Sequence, residues 1–261
     1  MRSLDIAGTG MQAQTTNVEV ISNNIANMTT TGFKRRRAEF QDLMYQNLRR
    51  VGSNSSDTGS IVPSGAQVGL GVKTAAIYRI NAQGTLQQTS NKLDMAVQGH
   101  GYFQITMPNG ETAYTRDGTF GLAPDGTIVT ADGHTVQPGL AIPTAATDVT
   151  INPNGQVQVT LSGQTAPSTI GQLQIAIFPN EAGLDALGDN LFVQTSASGS
   201  PVAGNPGTTG FGTVMQGFVE GSNVNIVTEI TNLITAQRAY EMNGRVITAS
   251  DEMMTTLTNL R

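Results

Sequence analysis

Residues 4–28 read Leu-Asp-Ile-Ala-Gly-Thr-Gly-Met-Gln-Ala-Gln-Thr-Thr-Asn-Val-Glu-Val-Ile-Ser-Asn-Asn-Ile-Ala-Asn-Met. Within this stretch Leu4, Ala7, Met11, Gln14, Val18, Ile21, Ile25 and Met28 follow one another at alternating steps of three and four. That spacing lines one face of a helix with a heptad stripe whose single polar member is Gln14. As a helix the segment spans about 37 Å. Thr15, Thr16, Asn17, Ser22, Asn23 and Asn24 are weak helix formers. The segment is therefore marginal alone and needs a packing partner.

The other end of the chain matches it. Ile226, Leu233, Tyr240, Ile247 and Met254 stand seven apart, and Ala239, Val246, Met253 and Leu260 form a second row beside them. Ile230 and Ile234 widen the stripe at its start. The pattern predicts a helix over 225–258, about 51 Å long, with Asn223 or Asn225 as its N-cap. Two partners could cover these stripes: the other terminal helix of the same chain, or a seam shared with other subunits.

Between the ends the period changes. Residues 52–66 are rich in Gly, Ser and Asn and read as a linker or extended loop. Val97–Ile105, Ile128–Thr130, Val157–Val159 and Leu173–Phe178 read as strands. Asn109-Gly110, Asp125-Gly126, Asp132-Gly133 and Asn154-Gly155 read as tight turns between strands. The expected fold class is α+β: terminal helices form a coiled-coil-like module, with a mainly antiparallel β domain inserted between them. The expected segments are 1–44 (N-terminal helix and the turn after it), 45–71 (linker or extended contact segment), 72–215 (β-rich domain) and 216–261 (C-terminal helix).

Composition narrows the function. The 261 residues contain no Cys, no Trp and two His, His100 and His134. Disulfides, thiolate metal sites, cysteine nucleophiles and His-rich metal centres are excluded. Charged residues make up 13% of the chain, about half the usual share, and 34 Thr and 30 Gly stand in their place. Such a surface suits extended polar contacts. No run approaches the ~18 apolar residues of a membrane span, so direct membrane insertion is not expected. The first residues carry no apolar leader region or cleavage signature. The expectation is a cytoplasmic protein, or one exported by a machine that reads no such signal.

The net charge of −5 argues against general nucleic-acid binding. Residues 1–50 are nevertheless basic, with seven cationic and four anionic side chains. Lys34, Arg35, Arg36 and Arg37, with Arg49 and Arg50, form the one basic cluster. It is read as a contact for an acidic partner surface, or simply as a solvated patch. Asp117-Gly118, Asp125-Gly126 and Asp132-Gly133 recur at steps of eight and seven; the calcium-loop pattern with its bidentate Glu is missing, so all three pairs read as hairpin turns. No nucleophile elbow, phosphate loop or dinucleotide fingerprint is present. A glycan hydrolase would need two carboxylates at a cleft, and Glu111, Asp117 and Asp125 are candidates by residue type alone. No catalytic, cofactor or metal residues are assigned.

Residues 22–37, Ser-Asn-Asn-Ile-Ala-Asn-Met-Thr-Thr-Thr-Gly-Phe-Lys-Arg-Arg-Arg, resemble the N-terminal signature of bacterial flagellar rod and hook proteins. The match falls on Asn24, Ile25, Ala26, Asn27, Thr30 or Thr31, Gly32, Phe33 and Lys34. Leu93–Phe103, Tyr114–Phe120 and the stretches 217–225, 236–241 and 251–254 resemble the same family. The resemblance covers nearly the whole chain. Gly221 departs from it, standing where a small polar residue such as Ser is common. The length and residues 45–50 are most similar to the distal-rod members. A proximal-rod member of similar length is the nearest alternative.

The resemblance implies a non-enzymatic, cofactor-free structural subunit of the distal rod in the basal body. It implies export through the flagellar type III apparatus without a cleaved signal, and helical polymerisation across the periplasm into a rigid drive shaft. The implied partners are other copies of itself, proximal rod proteins, the hook protein, and the P and L ring proteins. The implied self-assembly interface comprises Leu4, Met11, Val18, Ile21, Asn24, Ile25, Asn27, Gly32, Phe33, Ile226, Ile230, Leu233, Tyr240, Ile247 and Met254. From a different class, a secreted β-rich binding protein with a helical oligomerisation stalk fits the same layout.

Overall fold

The computed structural model describes residues 2–49, 65–164 and 166–259. Most of the segment read as a linker, residues 50–64, lies outside the described residues, as does Leu260. The chain divides into two compact units. One gathers residues 1–25, 36–78 and 225–261; the other gathers 26–35 and 79–224.

The first unit is built on two helices, α1 (Arg2–Ala26) and α2 (Ile226–Asn259). The cap of α2 is Asn225, whose Oδ1 accepts the N–H of Thr228 at 3.2 Å. The helices run antiparallel. Ser3 Oγ lies 3.1 Å from Ser250 Oγ. One heptad along, a Cβ added to Gly10 would sit 2.9 Å from the amide of Asn243. Two heptads further, Asn24 Nδ2 donates to Glu229 Oε2 at 3.1 Å. The buried residues of α2 are Glu229, Ala236 and Ser250, on the same heptad row as Asn243. The seam within the chain is therefore small and polar.

Two ribbons complete this unit. β1 (Arg36–Asp42), β2 (Tyr45–Arg49), β3 (Ala66–Gly69) and β4 (Val72–Arg79) pair as β1 with β4 and β2 with β3. Thr9 on α1 accepts the N–H of Val72 at 3.3 Å. Gly71, at φ +122°, passes so close that a Cβ there would lie 2.2 Å from Thr9 Oγ1.

The second unit holds the remaining strands. They are β5 (Leu86–Gln88), β6 (Met95–Gln98), β7 (Tyr102–Thr106), β8 (Thr112–Thr115), β9 (Phe120–Leu122), β10 (Ile128–Thr130), β11 (Thr135–Val136), β12 (Ala146–Ile151), β13 (Gln156–Leu161), β14 (Ser168–Gln172), β15 (Ile175–Ile177), β16 (Asp185–Gly188), β17 (Leu191–Val193), β18 (Val202–Gly204), β19 (Thr213–Gln216) and β20 (Phe218–Glu220). A nine-stranded sheet runs β16-β17-β8-β7-β11-β10-β9, with β15 against β7 and β18 beyond it. β12-β13-β14 form a second sheet, and β19 pairs β6 while β20 pairs β5. These pairings are antiparallel. Asn109-Gly110, Asp125-Gly126, Asp132-Gly133 and Asn154-Gly155 turn the chain between successive strands, each Gly at positive φ, where only Gly sits without strain.

The core of this unit centres on Met95, Val97, Phe103, Ile105, Ile128, Val157, Val159 and Ile175. A smaller cluster of Tyr102, Tyr114, Phe178, Leu184 and Phe192 stands apart, its rings edge-on, as aromatic quadrupoles prefer. The fold class read from the sequence holds: terminal helices and a mainly antiparallel β domain between them. Two local readings change. The strand expected over Val97–Ile105 is two strands, β6 and β7, because Gly99 and Gly101 take φ values of +101° and +140° and break the extended run. Asp117-Gly118 is not a hairpin. Gly118 is small because a Cβ there would lie 1.5 Å from Met95 O.

Candidate functional site: signature residues and helix faces

The residues of the N-terminal signature divide between two tasks. Asn24 is buried in the last full turn of α1. Its Oδ1 accepts the N–H of Arg36 at 2.9 Å, and its Nδ2 donates to the Arg36 carbonyl at 2.8 Å as well as to Glu229. The side-chain amide imitates a neighbouring strand for the first residue of β1 while gripping the first turn of α2. One side chain thus ties three elements of the first unit together.

The segment after α1 belongs to the second unit. Asn27 is half-buried; its Oδ1 accepts the Thr30 hydroxyl at 3.1 Å and its carbonyl accepts the Thr30 N–H. Gly32, at φ +67°, donates its N–H to Glu220 O at 2.7 Å, and a Cβ there would lie 2.7 Å from Asp117 N. Phe33 is half-buried. Arg35 N–H donates to Asn223 Oδ1 at 2.7 Å, while Asn223 Nδ2 reaches the carbonyls of Ile80 and Ala82.

Lys34 does not join a basic surface patch. Its side chain is 1% exposed and its Nζ pairs with Glu220 Oε1, whose side chain is fully buried. It also donates to Ala82 O at 3.0 Å. The second oxygen of Glu220 takes Arg116 Nη1 at 3.3 Å, and Oε1 also accepts Gly84 N–H at 2.8 Å. Burial pulls the Lys34 ammonium below its ordinary pKa, although Glu220 opposes the shift. The basic run thus begins with a structural lysine that is withdrawn from the surface. Arg37 lies over the ring of Tyr78 and pairs with Glu39.

The helical stripes lie differently from the in-chain seam. On α1, Ile21 is buried, while Leu4, Met11, Val18 and Ile25 are half-buried. On α2, Leu233 and Ile247 are half-buried, whereas Ile226, Ile230, Tyr240 and Met254 are exposed, Tyr240 at 46% and Met254 at 43%. Val227, Ile234, Met242, Val246, Met253 and Leu257 are exposed as well. Sequence reasoning missed Glu229, Arg116 and Glu220 as structural residues. A signal for the first exists: Glu229, Ala236, Asn243 and Ser250 repeat at seven, as do Ser3, Gly10, Asn17 and Asn24.

The carboxylates considered for chemistry are engaged in their own turns. Glu111 bonds Asn109, Asp117 bonds Thr119, and Asp125 bonds Thr127. Among the described residues no group of three or more His, Asp or Glu is arranged to hold a metal ion. No helix among them is long and apolar enough to cross a membrane.

Comparison with known proteins covers both ends and the middle. Residues 4–34 match the family described as flagella basal body rod protein, residues 96–159 the flagellar hook protein FlgE/F/G D1 domain, and residues 215–260 the flagellar basal body rod FlgEFG protein C-terminal region. The flagellar basal-body rod protein FlgG of Caulobacter vibrioides is 58% identical over the full length of both chains. That of Agrobacterium fabrum is 55% identical over 97% of each, and that of Bacillus subtilis 39% identical over 100% of this chain and 99% of its own. Helices at both ends, the signature turns between them and full-length identity converge on one assignment: the chain belongs to the family of flagellar basal-body rod proteins.

Proposed function

We propose that the chain is the structural subunit of the distal part of the rod, polymerising helically into the shaft that carries torque from motor to hook. One observation carries this reading. α2 is 34 residues long and buries only Glu229, Ala236 and Ser250, while Ile226, Ile230, Tyr240 and Met254 on its apolar face are exposed and Leu233 and Ile247 are only half-covered. Copies of the same chain are the covering partner that suits such a stripe, since head-to-tail contacts that do not close build open filaments. Leu4, Met11, Val18 and Ile25 on α1 would contribute to the same seam. Torque is then spread over many modest contacts rather than a few strong ones.

The neighbours in this reading are proximal rod proteins below, the hook protein above, and the P and L rings around the shaft. Delivery is by the flagellar type III export apparatus without a cleaved signal, and the role is mechanical rather than catalytic. The low charge density allows rotation inside the rings without strong ionic attachment.

The test is assembly. Leu233→Asp or Ile247→Asp would place an unpaired charge in the seam, a cost of several kcal/mol. Secretion should continue and rod completion should fail, as seen by electron microscopy of basal bodies and by swimming. A motile strain with complete rods carrying Leu233→Asp would overturn the seam.

A further inference from the structure

We propose that Asn109, at the tip of the β7–β8 hairpin, is a site of spontaneous deamidation, so that each subunit carries a chemical clock on this turn. Asn109 and Gly110 are both exposed, and nothing lies within 4 Å of where a Cβ on Gly110 would stand. The Asn109 side chain is folded back over the peptide that follows it. Its Oδ1 accepts the N–H of Glu111 at 3.0 Å and its Nδ2 donates to Glu111 Oε2 at 2.7 Å. This arrangement holds Cγ on the side of the Gly110 nitrogen, the atom that must attack it. The Glu111 N–H already points at Oδ1, where negative charge develops during attack, and a donor fixed there stabilises that charge.

The steps balance without a redox partner. Gly110 N gives its proton to hydroxide or a buffer base and forms a bond to Cγ, and the carbonyl electron pair moves to Oδ1. The tetrahedral centre collapses, the Cγ–Nδ2 bond breaks, and Nδ2 leaves as ammonia after taking a proton from water. The product is a five-membered succinimide. Water then opens either imide bond, giving aspartate or isoaspartate at position 109. The brake is the hydrogen bond from Gly110 N–H to Met107 O, 2.9 Å long, which must open first.

Other Asn-Gly pairs are held back. Gly155 is buried, and a Cβ there would meet Leu173 O and Pro206 at 2.9 Å. Asn243-Gly244 lies inside α2, where ring closure would require unwinding the helix ladder. Asp125-Gly126 occupies a similar turn, but its carboxyl is held below the usual range by Thr127; an ionised carboxylate is a poor electrophile. Deamidation replaces a donor against Glu111 with a second carboxylate, so attraction at the tip becomes repulsion and the turn loosens.

The full-length protein would be incubated in ¹⁸O-water at mildly alkaline pH, digested and read by mass spectrometry, with isoaspartate detected by enzymatic methyl transfer. The Asn109 peptide should gain the mass of amide-to-acid exchange with one ¹⁸O. It should do so on the order of tenfold faster than the peptides of Asn154 and Asn243, a barrier difference of about 1.4 kcal/mol. Asn109→Gln, which would need a six-membered ring, should stay unmodified while amide exchange of β7 and β8 remains native. In urea the three sites should converge. Equal rates at the three sites in the folded chain, or modification of Asn154 or Asn243 first, would overturn the proposal.

Discussion

Replacing Glu220 by Gln isolates the buried charge cluster of the second unit. The carboxylate is fully buried, as are its partners Lys34 and Arg116 at 1% and 3% side-chain exposure. Gln keeps the volume and one acceptor for Gly84 N–H but leaves two neighbouring cations without the anion they share. Removing one member of a buried ion pair costs about 3–5 kcal/mol, mostly the penalty of stranding the remaining charge. At 1.4 kcal/mol per tenfold that is roughly two to four powers of ten in the folded-to-unfolded ratio, against a typical domain stability of about 5–15 kcal/mol.

Lys34→Met provides the internal comparison. It leaves Glu220 paired with Arg116 and bonded to Gly84, so the remaining cluster is neutral. The expected loss is about 1.5–3 kcal/mol, close to one charged hydrogen bond. Urea unfolding of the purified subunit followed by circular dichroism, extrapolated linearly to water, gives both values. Glu220→Gln should be the more damaging change. If it costs less than about 1 kcal/mol, or less than Lys34→Met, the cluster does not hold this unit together in the way the distances imply.

Other expectations follow from single contacts. Asn24→Ala strips both partners from Arg36 and one from Glu229, and should lower stability by about 2–4 kcal/mol, with faster amide exchange at Arg36. Gly10→Ala should be tolerated, because only the mobile amide of Asn243 stands in the way, whereas Gly10→Leu should part the helices and lower helical circular dichroism. Tyr102 donates to Glu181 at 3.0 Å, and burial raises its phenol well above the ordinary 10.0. The folded chain therefore keeps this proton at a pH where the unfolded chain releases it. Its stabilising contribution is complete below pH 10 and declines as pH rises above it. Wild type should lose stability relative to Tyr102→Phe over that alkaline range, and a constant difference would contradict the assignment.

Much of the fold was legible because two periodicities dominate it. Steps of three and four gave α1 and α2 within about two residues, and Gly after Asn or Asp gave four turns correctly. The break between β6 and β7 was hidden, because Gly99-His100-Gly101 interrupts a run that otherwise alternates like one strand. Gly118 was misread for a related reason: a Gly needed for close approach to Met95 looks in sequence like one needed for a turn. Lys34 was least legible. Four successive cations read as a contact for an acidic partner surface or as a solvated patch, and only tertiary structure brings Glu220, distant in sequence, against the first of them. Such a lysine has no local signature, since its partner is chosen by the fold and not by spacing.

The heptad rows of α2 divide two requirements between adjacent faces. The row Glu229, Ala236, Asn243, Ser250 meets α1 through hydrogen bonds and close approach. Such contacts fix register and direction but bury little apolar area, and isolated polar residues in a helical seam are known to specify pairing at a cost in stability. The row Ile226, Leu233, Tyr240, Ile247, Met254 lies three positions away, about 60° around the helix, and carries the apolar area instead. Were the apolar row used within the chain, α1 and α2 would bind each other tightly and leave a polar exterior with little to drive association. With the rows as they are, the in-chain pair is specific but weak, and the larger hydrophobic gain, about 25 cal/mol per Å² covered, is reserved for whatever covers the outer row. An Asn243→Leu change would test this division. It should strengthen the in-chain pair, seen as slower amide exchange in α2 of the free subunit, while weakening polymerisation by favouring slipped registers. Strengthened helices with unchanged polymerisation would show that the polar row does not set the register.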